Sequence, residues 1–138
     1  MNNIYNILLN GLLIGTTELE KADAPMGVVF GLIEFDGIES PYEFFKEYCL
    51  NKQIELACDY PEDKMISTMS IPELKITTDN GIEIKGVGNQ ITGMDNEEYE
   101  ISIFGIQYPF YEKEFPHHVK EYQNMVIKNK KTNAQHGV

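Results

Sequence analysis

Along most of the chain, apolar positions either alternate with polar ones or gather in short β-branched blocks, and helical spacing surfaces in only two places. Ile4–Leu9 and Leu12–Thr17 flank Asn10-Gly11, the dipeptide that best suits a two-residue turn, so the chain is predicted to open as a β-hairpin. An acidic connection, Glu18–Met26, leads to a third strand over Gly27–Phe35, rich in Val, Ile and Phe. A short strand is expected over Ile54–Cys58, then a Pro-containing acidic turn, Asp59–Lys64, and an extended Met65–Met69. Leu74, Ile76 and Thr78 alternate with Lys75 and Thr77, and Ile82 and Ile84 with Glu83 and Lys85, across Asp79-Asn80-Gly81. That is a second hairpin, whose return strand would bend at Gly86 and Gly88 and run on to Ile91. Tyr99, Ile101 and Ile103 form a last strand, paired across the turn Gly93–Asn96.

The two helical stretches start on recognisable signals. Ser40-Pro41-Tyr42-Glu43 reads as a capping box with Pro at the first helical position, which predicts a helix over Pro41–Asn51 with Phe44, Phe45, Tyr48 and Cys49 on its apolar face. Phe115-Pro116 restarts the chain as a short helix over Pro116–Met125, with Val119, Tyr122 and Val126 as its apolar side. Residues 127–138 lack apolar periodicity and read as a polar C-terminal tail. About seven strands and two helices give an α+β fold, a mostly antiparallel sheet in a single domain over residues 1–126.

Leu19-Glu20-Lys21-Ala22-Asp23-Ala24-Pro25-Met26-Gly27-Val28, followed by Gly31, resembles a segment found in small bacterial proteins that share the pattern Leu-Glu-x-x-Asp-x-Pro-Met-Gly-Val. The resemblance implies a bacterial origin. It brings with it no established activity, catalytic residue or cofactor. By their chemistry, Pro25 restrains the backbone and Gly27 and Gly31 let another element approach closely.

Charge narrows the choice of partner. The chain has 22 acids against 11 lysines and no Arg, for a net charge of −11. Met1–Asn124 holds 8 of the lysines and all 22 acids, a charge of −14, whereas Met125–Val138 carries +3. Such a body repels nucleic acid and anionic lipid and attracts basic proteins. Without guanidinium groups, bidentate capture of phosphate is unavailable. Ile7-Leu8-Leu9 and Leu12-Leu13-Ile14 lack the basic start and unbroken apolar run of a signal peptide, so a cytoplasmic location is expected. Cys49 and Cys58 are read as reduced and buried.

Candidate chemistry is sparse. Glu112, Glu114, His117, His118 and Glu121 are the one His/carboxylate cluster, but Pro116 puts Glu114 before the helix, and the group reads as solvated residues at a helix start rather than a metal site. Asp79, Gly81 and Glu83 lack calcium-loop spacing and read as a hairpin turn. Gly86 and Gly88 lack the third glycine of a phosphate cradle. No catalytic residue, metal or cofactor is therefore assigned. The expected partner-binding residues are Glu18, Glu20 and Asp23 in one loop, Asp36 after the third strand, and Asp59, Tyr60, Glu62 and Asp63 in another loop. Together they suggest a non-catalytic acidic protein-binding domain, most concretely an immunity-type inhibitor of a basic bacterial toxin. The alternative is a small enzyme or ligand carrier with a pocket near Pro25-Met26-Gly27. Oligomeric state and strand order are not encoded in these patterns.

Overall fold

The computed structural model describes residues 3–136, and side chains as far as Lys130. The opening hairpin forms where the turn dipeptide places it: β1 (Tyr5–Leu9) and β2 (Leu12–Thr17) are joined by Asn10 and Gly11, both at positive φ (51° and 79°). The acidic connection is more ordered than expected. It holds a short strand, β3 (Lys21–Asp23), and a 3₁₀ turn, Ala24–Met26. With only three residues, all exposed, β3 is too short to leave an alternation in the sequence. β4 (Val28–Phe35) then pairs with β3 through Val28–Phe30 and with β2 through Ile33–Phe35, so β2 and β3 share one edge and meet at a corner opposite Gly31.

Helix α1 spans Pro41–Asn51, with Ser40 Oγ accepting the Glu43 amide at 3.2 Å. Phe45 and Cys49 are buried as expected; Phe44 and Tyr48 are only half-buried, and Tyr42, on the turn before, is buried instead. β5 (Leu56–Tyr60) and β6 (Met65–Thr68) form an edge hairpin, and β7 (Leu74–Thr77) follows. The expected return strand over Ile82–Lys85 is reduced to one bridge, Thr77 to Glu83, and the bond Ile84 N to Ile76 O at 2.8 Å. Thr78 Oγ1 instead accepts the Ile82 amide, Ile84 turns into the core, and the chain crosses to Phe104 before β8 (Gly88–Met94) begins. β8 pairs with β9 (Tyr99–Phe104) from Gly88↔Phe104 to Gly93↔Tyr99, one hairpin with its turn shifted slightly beyond the expected Gly93–Asn96.

The result is an antiparallel nine-stranded sheet, ordered β5-β6-β8-β9-β4-β2-β1-β7, with β3 beside β4. It curls on itself: Ile71 N bonds Asn89 O at 3.0 Å and Asn89 Nδ2 donates to Leu74 O, fastening the β7 end back to β8. One face carries the core, including Tyr5, Ile7, Val29, Ile91, Ile101, Ile103 and Ile76. Phe35, half-buried on that face, meets Phe45 of α1 and Tyr99 of β9. At the other end Tyr5 meets Phe115, and Phe115 meets Tyr111.

There are three helices rather than two. A short α2 (Phe110–Glu114) precedes α3, and α3 runs from Pro116 to His136 rather than stopping at Met125. No Gly or Pro stands between Pro116 and Gly137, so nothing in the covalent chain ends the helix where apolar periodicity fades, and lysines suit its C-terminal end. The expected tail is thus helical through residue 136, and residues 137–138 lie outside the described residues. Cys49 and Cys58 are both free thiols; Cys49 is buried and Cys58 half-buried. Among the described residues no helix is long and apolar enough to cross a membrane.

Candidate functional site

The α1 end of the sheet is organised by a residue the sequence did not single out. Asp95, just past β8, accepts from the Tyr42 amide (2.9 Å) and the Tyr99 hydroxyl (2.7 Å) through Oδ1, and from the Ser40 hydroxyl (2.6 Å) through Oδ2. Burial alone would raise its pKa, but the donors from Ser40, Tyr99 and the Tyr42 amide outweigh it, so the carboxyl is held below the usual range. The Asp95 amide in turn donates to Lys64 O at 3.1 Å. One aspartate therefore locks together the β4–α1 connection, the β5–β6 turn and the β8–β9 turn.

A second clasp holds α1 to β5. Tyr42 donates its hydroxyl to Asp59 Oδ1 at 2.5 Å, and Lys46 Nζ lies 3.2 Å from Asp59 Oδ2 while donating to the Tyr42 oxygen at 3.0 Å. The Tyr42 hydroxyl is the main reason the Asp59 carboxyl is held low. Burial, then Asp59, pushes Tyr42 up. Asp59, expected on the partner-binding surface, is half-buried and already engaged.

Its neighbours are not so committed. Tyr60 is 52% exposed, and Glu62 and Asp63 stand in the exposed turn beyond it. The locked turns add Glu97 and Glu98 from the β8–β9 connection and Glu39 and Glu43 around the start of α1, all exposed, and Asp36 follows β4 at the same end. Seven exposed carboxylates thus share this rim with Lys64 as the exposed base of the β5–β6 turn. Glu39 was legible with Asp36 as an acid after the third strand, whereas Glu43, Glu97 and Glu98 join the expected set because of Asp95. The one sequence hint was an acid in a turn, where its oxygens can collect nearby N–H and O–H groups.

Glu18, Glu20 and Asp23 are brought together elsewhere. Asp23 pairs with Val28 at the start of β4, and Asp36 follows its end, about 25 Å further along at strand rise. At the β2–β3 corner, Leu19 is fully buried with φ of 48°; its amide donates to Thr17 Oγ1 (3.2 Å), and its carbonyl accepts from His118 Nε2 (2.8 Å). Glu20 Oε2 accepts from the Leu32 amide at 2.8 Å, and its side chain lies over Gly31, where a Cβ would collide with the Glu20 carboxylate and the Leu19 backbone. Gly27, at φ 67°, accepts the Ile106 amide at 2.8 Å and leaves no room for a side chain. Leu19, Glu20, Gly27 and Gly31 are therefore explained by the close packing around this corner.

The helix-start cluster is also more structural than expected. His118 is buried rather than solvated, and Glu114 accepts from the Tyr5 hydroxyl at 2.7 Å. Burial, with the adjacent His118, lowers the His117 pKa and favours the neutral ring. Among the described residues no group of three His, Cys, Asp or Glu side chains is placed to hold a metal ion. Between β3, the 3₁₀ turn and α3 runs an open cleft of about 680 Å³, with Phe30, Tyr122 and Met125 among its walls and Glu20, Asp23, His118 and Glu121 around them. No family model, no curated protein and no solved structure matches the chain.

Proposed function

We propose that this protein is a non-catalytic acidic binding domain that docks through the rim at the α1 end onto the basic cleft of another protein, and that it is an immunity-type inhibitor of a basic bacterial toxin. The observation that carries the reading is an exposed Tyr60 at the end of β5, with Glu62, Asp63, Glu97 and Glu98 exposed on the two turns at the same end of the sheet, turns that Asp95 ties together. An aromatic anchor inside a field of one sign supplies both parts of a fast, tight association. The field steers the encounter, and the ring fills a desolvated pocket at its centre. Because the turns are already fixed, little conformational freedom is lost on docking. If the partner is a nuclease, the rim carboxylates occupy the positions of substrate phosphates, and the inhibitor works in the cytoplasm beside the toxin it neutralises.

The alternative, a small-ligand or enzymatic site near Pro25-Met26-Gly27, would draw on the β3–α3 cleft. Glu20 and His118 there already serve the backbone of Leu32 and Leu19, which leaves few groups for chemistry. The test is affinity capture on the immobilised protein from a lysate of the source organism at low salt, with stepwise salt elution and mass spectrometry. A single basic protein released as salt rises supports the proposal, provided the purified pair re-forms and the partner's activity is blocked. A captured protein that is acidic, or one whose activity is unaffected, refutes it.

A further inference from the structure

Beside the β3–α3 cleft lies a second cavity, of about 350 Å³, and Glu20, His118 and Glu121 line both. The two spaces differ in chemistry. The cleft has Pro25, Phe30, Tyr122 and Met125 among its walls, whereas the smaller cavity adds Asn3, Tyr5, Glu18 and His117 to the three shared residues. Glu18 and Glu20 come from the β2–β3 corner, and His117, His118 and Glu121 from the start of α3, so polar groups converge from two elements.

Acceptors dominate this smaller cavity. Tyr5 has already given its hydroxyl to Glu114. His118 is only 4% exposed, and its Nε2 lies 2.8 Å from Leu19 O; a carbonyl can only accept, so Nε2 carries the hydrogen and the neutral ring keeps a lone pair at Nδ1. Nδ1 has no hydrogen-bond partner among the described residues. Burial, with the adjacent His118, favours a neutral His117 as well. Glu18 and Glu121 make neither a hydrogen bond nor an ion pair with any described residue. The one lysine on these walls, Lys21, is paired with Glu100 at 3.2 Å and lies over the Phe30 ring. Glu18, Glu20, Asp23 and Glu121 therefore line the two spaces with no cation committed to them among the described residues.

We propose that the two spaces form one binding site for a small guanidinium compound with an apolar body, its head in the acceptor-rich cavity and its body against Phe30, Tyr122 and Met125. Charge excludes an anion. A guanidinium carries five N–H donors in a fixed plane, enough to reach carboxylates and ring nitrogens on both walls, whereas an ammonium gathers three at one point. The aromatic walls suit a flat cation and an apolar chain alike. The ligand is held rather than transformed, since Glu20 and His118 keep the Leu32 amide and the Leu19 carbonyl in place. Asp23 stands at the far end of β4 from the Tyr60 rim, and the site does not depend on the proposed docking function.

The test is calorimetric titration of the full chain with phenethylguanidinium, joined to amide NMR shift mapping. A dissociation constant below about 1 mM is expected, with shifts gathered at Glu18–Asp23 and His117–Met125, and phenethylammonium bound at least fivefold more weakly. Glu18→Gln with Glu121→Gln, both at exposed positions, is expected to weaken binding at least tenfold while the Tm stays within about 2 °C of wild type. Glu62→Gln with Asp63→Asn removes the same charge from the rim and is expected to leave binding unchanged. Tyr122→Ala is expected to weaken phenethylguanidinium but not methylguanidinium, which lacks the body. No binding at about 5 mM ligand, shifts spread over the whole acidic surface, an ammonium held as tightly as the guanidinium, or equal effects of the two double variants overturns the inference.

Discussion

Replacing Asp95 with Ala should be among the most damaging polar substitutions in this chain. The carboxylate accepts three hydrogen bonds, from the Ser40 hydroxyl, the Tyr42 amide and the Tyr99 hydroxyl. Bonds to a charged acceptor contribute about 1.5–3 kcal/mol each, toward the lower end where water reaches the site, and the stranded donors recover part of the loss by hydration. The expected cost is about 3 kcal/mol, or roughly 10 °C in Tm for a chain of this size. Asp95→Asn keeps one oxygen for Tyr42 and Tyr99, and the Ser40 hydroxyl can rotate to accept, so about 1 kcal/mol is expected. The folded pKa of Asp95 lies below its ordinary value. Its contribution is therefore complete above about pH 4, where the unfolded carboxyl is also ionised, and fades as pH falls through the folded value. Thermal melts of wild type and Asp95→Ala from pH 7 downward should show a gap that is constant to about pH 4 and then narrows. A gap of only a degree or two at pH 7, or one that widens in acid, would refute the reasoning.

Three further outcomes follow from other parts of the molecule. Gly31→Ala sets a Cβ against the Glu20 carboxylate and the Leu19 backbone, and chemical denaturation should record a loss of about 2 kcal/mol or more. Tyr60→Ala, at an exposed position, should leave Tm within about 2 °C of wild type while raising the dissociation constant for the captured partner at least tenfold, measured by calorimetry. The Cys49 thiol is buried and its pKa is pushed up by that burial, so alkylation of the native protein followed by mass mapping should label Cys58 first and Cys49 only on unfolding.

Local chemistry made much of this architecture readable. Asn10-Gly11 placed a hairpin and Ser40-Pro41 a helix start, because each signal acts over a few neighbouring residues. Signals that depend on distant packing were not readable. β3 has too few residues to show a period, and Ile82–Lys85 alternates like a strand yet sends Ile84 into the core and detaches at Gly86. The run past Met125 looked like a tail because its apolar stripe ends, although nothing in the chain stops a helix there. At the rim, Tyr60, Glu62 and Asp63 were legible as an exposed acidic turn. Glu97 and Glu98 were not, because what joins them to that turn is Asp95, whose partners lie as far as 55 residues away in sequence. The acids of the Leu-Glu-x-x-Asp segment were grouped with the rim only by charge; Glu20 is half-buried against the Leu32 amide, and Asp23 lies at the far end of β4.

The central claim is that the α1-end rim, rather than acidity in general, recognises a basic partner. The direct measurement is a titration of the purified captured partner with three proteins: wild type, a rim variant carrying Glu62→Lys, Asp63→Lys, Glu97→Lys and Glu98→Lys, and a control carrying Glu18→Lys, Asp23→Lys, Glu112→Lys and Glu121→Lys. Both variants change the net charge by the same amount. The account predicts that the rim variant loses binding by at least a hundredfold while the control stays within a few-fold of wild type. Equal loss in both would mean that overall charge alone drives the association, and loss confined to the control would place the site on the β3–α3 side instead.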